Sequence, residues 1–191
     1  MFKNRLEAFS DGVLAIVITI MVLELKVPHE ATWEALRPIV PVFLSYVLSF
    51  VYVGIYWNNH HHMLHTVEKT TGPMLWANLH LLFWLSLFPF ATAWSGENGF
   101  GAVPTTFYGI VLLMAAVAYF ILQSLIVKQQ GPESRLAIAI GLDVKGRASV
   151  VLYAAAILLS FVNHWISMAI FVLVAIMWIV PDRRIERALT D

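Results

Sequence analysis

The run HHHMLH at residues 60–65 and the charged residues Arg5 and Asp11 are the groups whose types could do chemistry in this chain. His61 and His65 stand four apart and share a helix face, a spacing that suits two imidazole ligands of one metal ion. A metal centre needs further ligands, and beyond this run His29, His80 and His164 are scattered singly. The simpler account is a set of histidines hydrogen-bonding at a helix end, so no metal and no cofactor are expected. Arg5, Asp11 and the histidines could instead form a proton relay, the chemistry of a proton-coupled membrane transporter. The chain has no cysteine, which excludes disulfides, thiolate catalysis and Cys-ligated zinc. No Walker loop, dinucleotide fingerprint or Ser-His-Asp pattern is present, and an enzyme is not expected.

The elements that must position these residues are membrane helices. Of 191 residues, 60% are hydrophobic and 13% charged, and the mean hydropathy is +0.76, well above a soluble domain. Twelve basic and twelve acidic side chains give no net charge, so no nucleic-acid partner is expected. Lys3 and Arg5 ahead of an apolar stretch resemble the start of a signal peptide, but Glu7 and Asp11 interrupt it and it reads as a mature membrane helix.

Apolar runs long enough to cross roughly 30 Å of hydrocarbon lie near 6–26, 37–60, 73–94, 104–128, 147–162 and 165–181. The expected fold is therefore all-α, a polytopic membrane protein of six spans forming one domain over residues 1–191. The last two runs read as a tight helical hairpin ending at Pro181 rather than one broken span. Pro38 and Pro41 fall in the first turns of the second helix, where a missing N–H is tolerated, and Pro89 is expected to bend or loosen the third. In this arrangement Lys3, Arg5, Lys69, Lys128, Arg135, Lys145, Arg147, Arg183, Arg184 and Arg187 share one side, against only Lys26 and Arg37 on the other. The excess of basic residues makes that side, with both termini, cytoplasmic.

Within the first helix, Ile16, Thr19, Ile20 and Leu23 fall inside an arc of about 100°. Such a stripe faces lipid, a neighbouring helix or a pore, and periodicity alone leaves all three open. Arg5 and Asp11 are six residues apart, a rise of about 9 Å and a turn of about 120°, too far around to pair within one helix. Asp11 lies about 140° from Ile16 and is expected to point into the protein. Its partners must come from other helices: Trp57 with His60, His61 or His62 from the second, and Asn78 with His80 from the third.

The segment RLEAFSDG, with Arg-x-x-x-Phe-Ser-Asp opening the first helix, resembles the signature of the transmembrane protein 175 family of potassium channels of bacteria and animal lysosomes. The resemblance continues through AIVITIMVLELKVP, YWNNHH and WANLHLLFWLSLFPF, and weakens to hydropathy in the last three spans. It implies a homotetramer in the cell membrane, in contact with membrane lipid, around a pore lined by the first helix of each subunit. It further implies a constriction of large aliphatic residues at Ile16, Ile20 and Leu23, and a hydroxyl layer at Thr19 implicated in selectivity. Arg5, Phe9, Ser10 and Asp11 match the packing and hydrogen-bond network that holds the pore helix, with Trp57, His60 or His61, and Asn78 as partners.

A ring of Ile and Leu would stop ions by dewetting, and potassium, the expected permeant ion, would be favoured over sodium by its lower dehydration cost, with Thr19 replacing some lost water. Selectivity of this kind is weaker than in a filter of backbone carbonyls. The nearest string to such a filter, TTFYGI at 105–110, has the wrong residues and opens an apolar helix. Glu24 and Lys26 read as solvated rim residues, with concentration of cations at the pore mouth as the other role open to Glu24.

Overall fold

A backbone that crosses lipid finds no water to bond, so each long apolar run closes its hydrogen bonds internally as a helix. The computed structural model describes residues 3–67, 69–141 and 143–179. In chain order these form α1 (Lys3–Leu23), a 3-10 segment (Glu34–Ile39) leading into α2 (Val40–His65), α3 (Gly72–Ser86), α4 (Phe88–Glu97), α5 (Ala102–Gln130), α6 (Arg135–Ile140), α7 (Val144–Leu159) and α8 (His164–Ile179). Pro181, Arg183, Arg184 and Arg187 lie outside the described residues.

Among the described residues four stretches are long and apolar enough to cross a membrane: Lys3–Leu23, Glu34–His65, Gly72–Glu97 and Ala102–Gln130. The last pair of expected spans is indeed two helices, but each has 16 residues. At 1.5 Å per residue they rise about 24 Å, short of a full hydrocarbon core. They form a hairpin stitched by Ser167 Oγ donating to the Ala156 carbonyl (2.7 Å) and Trp178 Nε1 donating to Ser149 Oγ (2.8 Å).

Proline opens several of these helices. Pro41, Pro73 and Pro89 occupy the first two positions of α2, α3 and α4, where the backbone N–H has no intrahelical acceptor to lose. Pro89 does more than loosen the third span. The helix stops at Leu87, whose N–H turns back to the Trp84 carbonyl, and restarts as α4. Ser86 Oγ bonds the Phe83 carbonyl at 2.7 Å in the same turn, so the break leaves that group satisfied. The short α6 has no counterpart in the hydropathy pattern; Ser134 caps it by accepting from Ala137 N at 3.2 Å.

Behind α1 the core is aromatic and hydroxyl-rich. Tyr52, Phe88, Tyr108, Tyr153 and Phe171 form a chain of ring contacts with centroids 5.7–6.4 Å apart. Thr92 Oγ1 donates to Ser49 Oγ (2.6 Å), which bonds the Tyr108 hydroxyl (2.8 Å), and Ser45 Oγ donates to the Thr92 carbonyl (2.8 Å). Small hydroxyl residues let backbones approach and join α2, α4 and α5 where lipid supplies no hydrophobic drive between helices.

Backbone meets backbone closely at Gly96, where an added Cβ would stand 2.6 Å from the Cα of Val42. Backbone cannot give way as a side-chain tip can. Gly96→Ala is therefore expected to lower stability by roughly 1–3 kcal/mol, read as a fall in the thermal unfolding midpoint. Gly54→Ala, where a Cβ meets nothing within 4 Å, serves as the tolerated control.

Candidate pore helix and the polar cluster behind it

α1 has two faces. Leu6, Ser10, Leu14, Val17 and Met21 are buried against the bundle, repeating at the three- and four-residue spacing of one helical face. On the opposite side Ile16, Thr19, Ile20 and Leu23 are exposed, Leu23 at 75% and Ile16 at 60%. Among the described residues no other element covers this stripe. Thr19 Oγ1 donates to the Ala15 carbonyl at 2.8 Å, which uses its hydrogen and leaves the oxygen lone pairs free to accept.

The motif residues divide between these faces. Ser10 is fully buried and donates to the Leu6 carbonyl (2.8 Å); Asn78 Nδ2 of α3 donates to Ser10 Oγ (3.0 Å), and Asn78 Oδ1 lies 2.7 Å from His60 Nε2 of α2. With the amide so oriented, His60 carries its proton on Nε2 and every member has a role: donor to Oδ1, amide bridge, hydroxyl relay to backbone. One asparagine thus ties three helices together. His60 is the histidine in this chain of bonds; His61 instead stacks on Trp57, with ring centroids 5.9 Å apart.

Asp11 departs from the sequence expectation. It is exposed on the subunit rather than turned into the bundle, and Oδ1 accepts from Trp57 Nε1 at 3.0 Å. Arg5 and Phe9 also stand outside the cluster. Both are exposed, on the same side of α1 as Ile16 and Leu23, and among the described residues no hydrogen bond or ion pair reaches Arg5. The reason is angular: seven or eleven residues carry a helix close to two or three whole turns, so Phe9 and Arg5 lie within about 20° of the azimuth of Ile16. Among the described residues, therefore, no hydrogen bond joins Arg5 to Asp11 or to the histidines, and the bond between Asp11 and α2 is the one from the Trp57 indole, a group that only donates.

The far end of α1 is polar for another reason. Lys26 Nζ meets Glu97 Oε1 at 2.8 Å, and this hydrogen bond, then the Glu97 charge, holds the ammonium above its ordinary pKa. Both partners are solvent-exposed, so the pair adds little to stability. The hydroxyls Ser45, Ser49 and Thr92 behind Met21 escaped the sequence reading; the available signal was small polar residues recurring inside otherwise apolar helices.

The sequence model of the family described as "Endosomal/lysosomal potassium channel TMEM175" matches residues 5–89, a span that contains every residue of the outward stripe and of the polar cluster. A potassium channel of Chryseobacterium sp. (strain P1-3) is 54% identical over 191 residues, covering 100% of both chains. The chain belongs to the TMEM175 family. The crystal structure of a lysosomal potassium-selective channel TMEM175 homolog from Chamaesiphon minutus superimposes with a TM-score of 0.79 at 29% identity, covering 94% of this chain and 97% of that one. The endosomal/lysosomal proton channel TMEM175 of Gallus gallus is 36% identical over 107 residues, 50% of this chain and 21% of that protein. The TMEM175 fold accounts for the bundle behind α1 as well as for the motif.

Proposed function

We propose that this chain is a potassium-selective cation channel, a homotetramer of single-domain, six-helix subunits around a pore lined by α1. The observation that carries the reading is the outward stripe of Ile16, Thr19, Ile20 and Leu23, uncovered by the described residues of its own subunit and about 130° around the helix from the packed face. A face of that shape on a spanning helix needs either lipid or symmetry mates, and the TMEM175 relatives named as potassium channels favour the second. Ile16, Ile20 and Leu23 would stack three aliphatic rings over about 10 Å of pore, a length that closes by dewetting. Thr19, with its hydrogen spent on the Ala15 carbonyl, would offer oxygen to a partly dehydrated ion between two of the rings.

The polar cluster then has a mechanical role. Ser10, Asn78 and His60 hold the inner face of α1, Asp11 and Trp57 hold its flank, and Arg5 and Phe9 are left for the neighbouring subunit. Lys3 donates to the His65 carbonyl and Gln130 to that of Thr66, so the N-terminus, the α2–α3 loop and the end of α5 share one side with Lys69 and Lys128. That concentration supports cytoplasmic termini in the cell membrane.

Potassium efflux from liposomes holding the purified protein, beside sodium-loaded liposomes, tests the proposal. Potassium should leave faster than sodium with no proton gradient imposed. Flux that appears only under a proton gradient, or equal rates for both ions, would overturn it.

A further inference from the structure

A cavity of about 390 Å³ lies between α2, α5 and α7, within the size range of ligand pockets and away from the α1 stripe. Its lining changes character along the helices. Tyr52, Ile55, Ala116, Val117, Val151 and Tyr153 give it apolar walls. Polar lining residues come from the later part of α2 (Asn59), the later part of α5 (Gln123) and the start of α7 (Asp143, Arg147). Gln130 bonding the Thr66 carbonyl brings the ends of α5 and α2 together, so the polar residues gather on the side of the basic loops.

Gln123 is the informative group. It is only 8% exposed, lines the cavity, and among the described residues no hydrogen bond reaches its carboxamide. Gln129 and Gln130, about two turns on, both have partners, the carbonyls of Lys69 and Thr66. A carboxamide that meets a cavity instead of a protein partner is open to an occupant with polar atoms.

The charges at the mouth select its sign. Arg147 is exposed, and among the described residues no ion pair reaches its guanidinium. Lys145 Nζ lies 5.9 Å from the ring of Trp178, another lining residue. Asp143, the acid among the described lining residues, is turned to the start of α7, accepting from Gly146 N at 3.2 Å. An unpaired guanidinium beside a carboxylate already turned to a helix start favours an anionic group, and basic pockets between membrane helices on the cytoplasmic side suit phospholipid head groups.

We propose that this cavity holds an anionic phospholipid, one acyl chain between Ile55, Val117 and Val151, its glycerol ester on the Gln123 amide and its phosphate on Arg147. Lipid is the occupant that a cavity with apolar walls, a cationic mouth and a membrane location shares all its features with. A bound lipid would also brace α7 against α2 and α5, the helices that back the bundle behind α1.

Intact-complex mass spectrometry of the delipidated assembly, titrated with phosphatidylglycerol or phosphatidylcholine, reads the proposal directly. The native protein should retain phosphatidylglycerol roughly fivefold more tightly than phosphatidylcholine, the worth of about one basic contact at a membrane surface. Arg147→Gln should erase that preference while leaving lipid binding itself, and Val117→Trp, which fills the cavity, should lose both lipids. Gln123→Leu, an apolar swap of similar size, keeps the test open should the filled variant fail to assemble: it should bind both lipids more weakly. A preference unchanged in Arg147→Gln, or binding unchanged in Gln123→Leu and Val117→Trp, would overturn the assignment, as would a filled variant whose subunit number changes instead of its lipid count. None of these readouts depends on which ion the pore passes.

Discussion

Ile20→Asn is expected to raise potassium flux by an order of magnitude or more and to bring the potassium-to-sodium ratio close to one. The residue sits mid-stripe, one turn beyond Ile16 and just short of one turn before Leu23, exposed beside the face that Met21 and Val17 bury. In a tetramer one substitution places four carboxamides in the narrowest apolar section. Each amide holds water that the isoleucine methyls exclude, so the dewetted segment becomes a hydrated one. Each roughly 1.4 kcal/mol removed from a permeation barrier multiplies the rate tenfold, and wetting four ring positions removes at least that much. Selectivity falls for the same reason: an ion that keeps its water passes with no difference in dehydration cost between potassium and sodium. The liposome assay reads both quantities, with Val22→Asn as a control on the same helix but outside the stripe. Flux and ratio unchanged in Ile20→Asn would show that the stripe faces lipid and would move the pore to another element.

How far the sequence reaches is clearest along α1. Hydropathy sets its length, and the wheel separates Ile16, Thr19, Ile20 and Leu23 from the packed side before any coordinates exist, because a helix fixes azimuth by residue number alone. The partners of Asp11 were legible as residue types, since an ionisable group in a membrane helix needs partners from other helices and Trp57, the histidines and Asn78 are at hand, whereas those of Ser10 followed from the family resemblance. Which histidine answers was not legible. His60, His61 and His62 differ by 100° steps on α2, and only the placement of α3 decides that Asn78 meets His60. The burial of Asp11 was misjudged because the wheel gives an angle relative to Ile16 but not the position of the neighbouring helix; α2 reaches that flank with an indole at the surface. The break at Leu87 and the chain from Thr92 through Ser49 to Tyr108 were hidden for a different reason. A hydropathy window averages over a proline and a few hydroxyls, whereas a membrane helix spends each of them on one specific bond.

Asn78→Leu should be the most damaging change within the polar cluster, lowering stability by roughly 2 kcal/mol. The substitution keeps volume and removes two bonds, but the two former partners are not left in the same state. Ser10 still donates to the Leu6 carbonyl and stays satisfied. His60, buried beside Met63 and Leu64, loses the acceptor of its Nε2 proton, and an orphaned buried donor costs roughly 1–3 kcal/mol. Interhelical hydrogen bonds in membranes average nearer 0.6 kcal/mol, so most of the penalty should come from the orphan rather than from the bonds themselves. That difference can be measured. Adding His60→Leu to Asn78→Leu removes the orphan, and the double variant should unfold at a higher temperature than Asn78→Leu alone. Trp57→Phe, which frees only an exposed carboxylate that water can solvate, should cost well under half as much. If His60→Leu deepened the loss instead, the histidine would be stabilised by something other than Asn78, and the view of Asn78 as the tie between α1, α2 and α3 would fail with it.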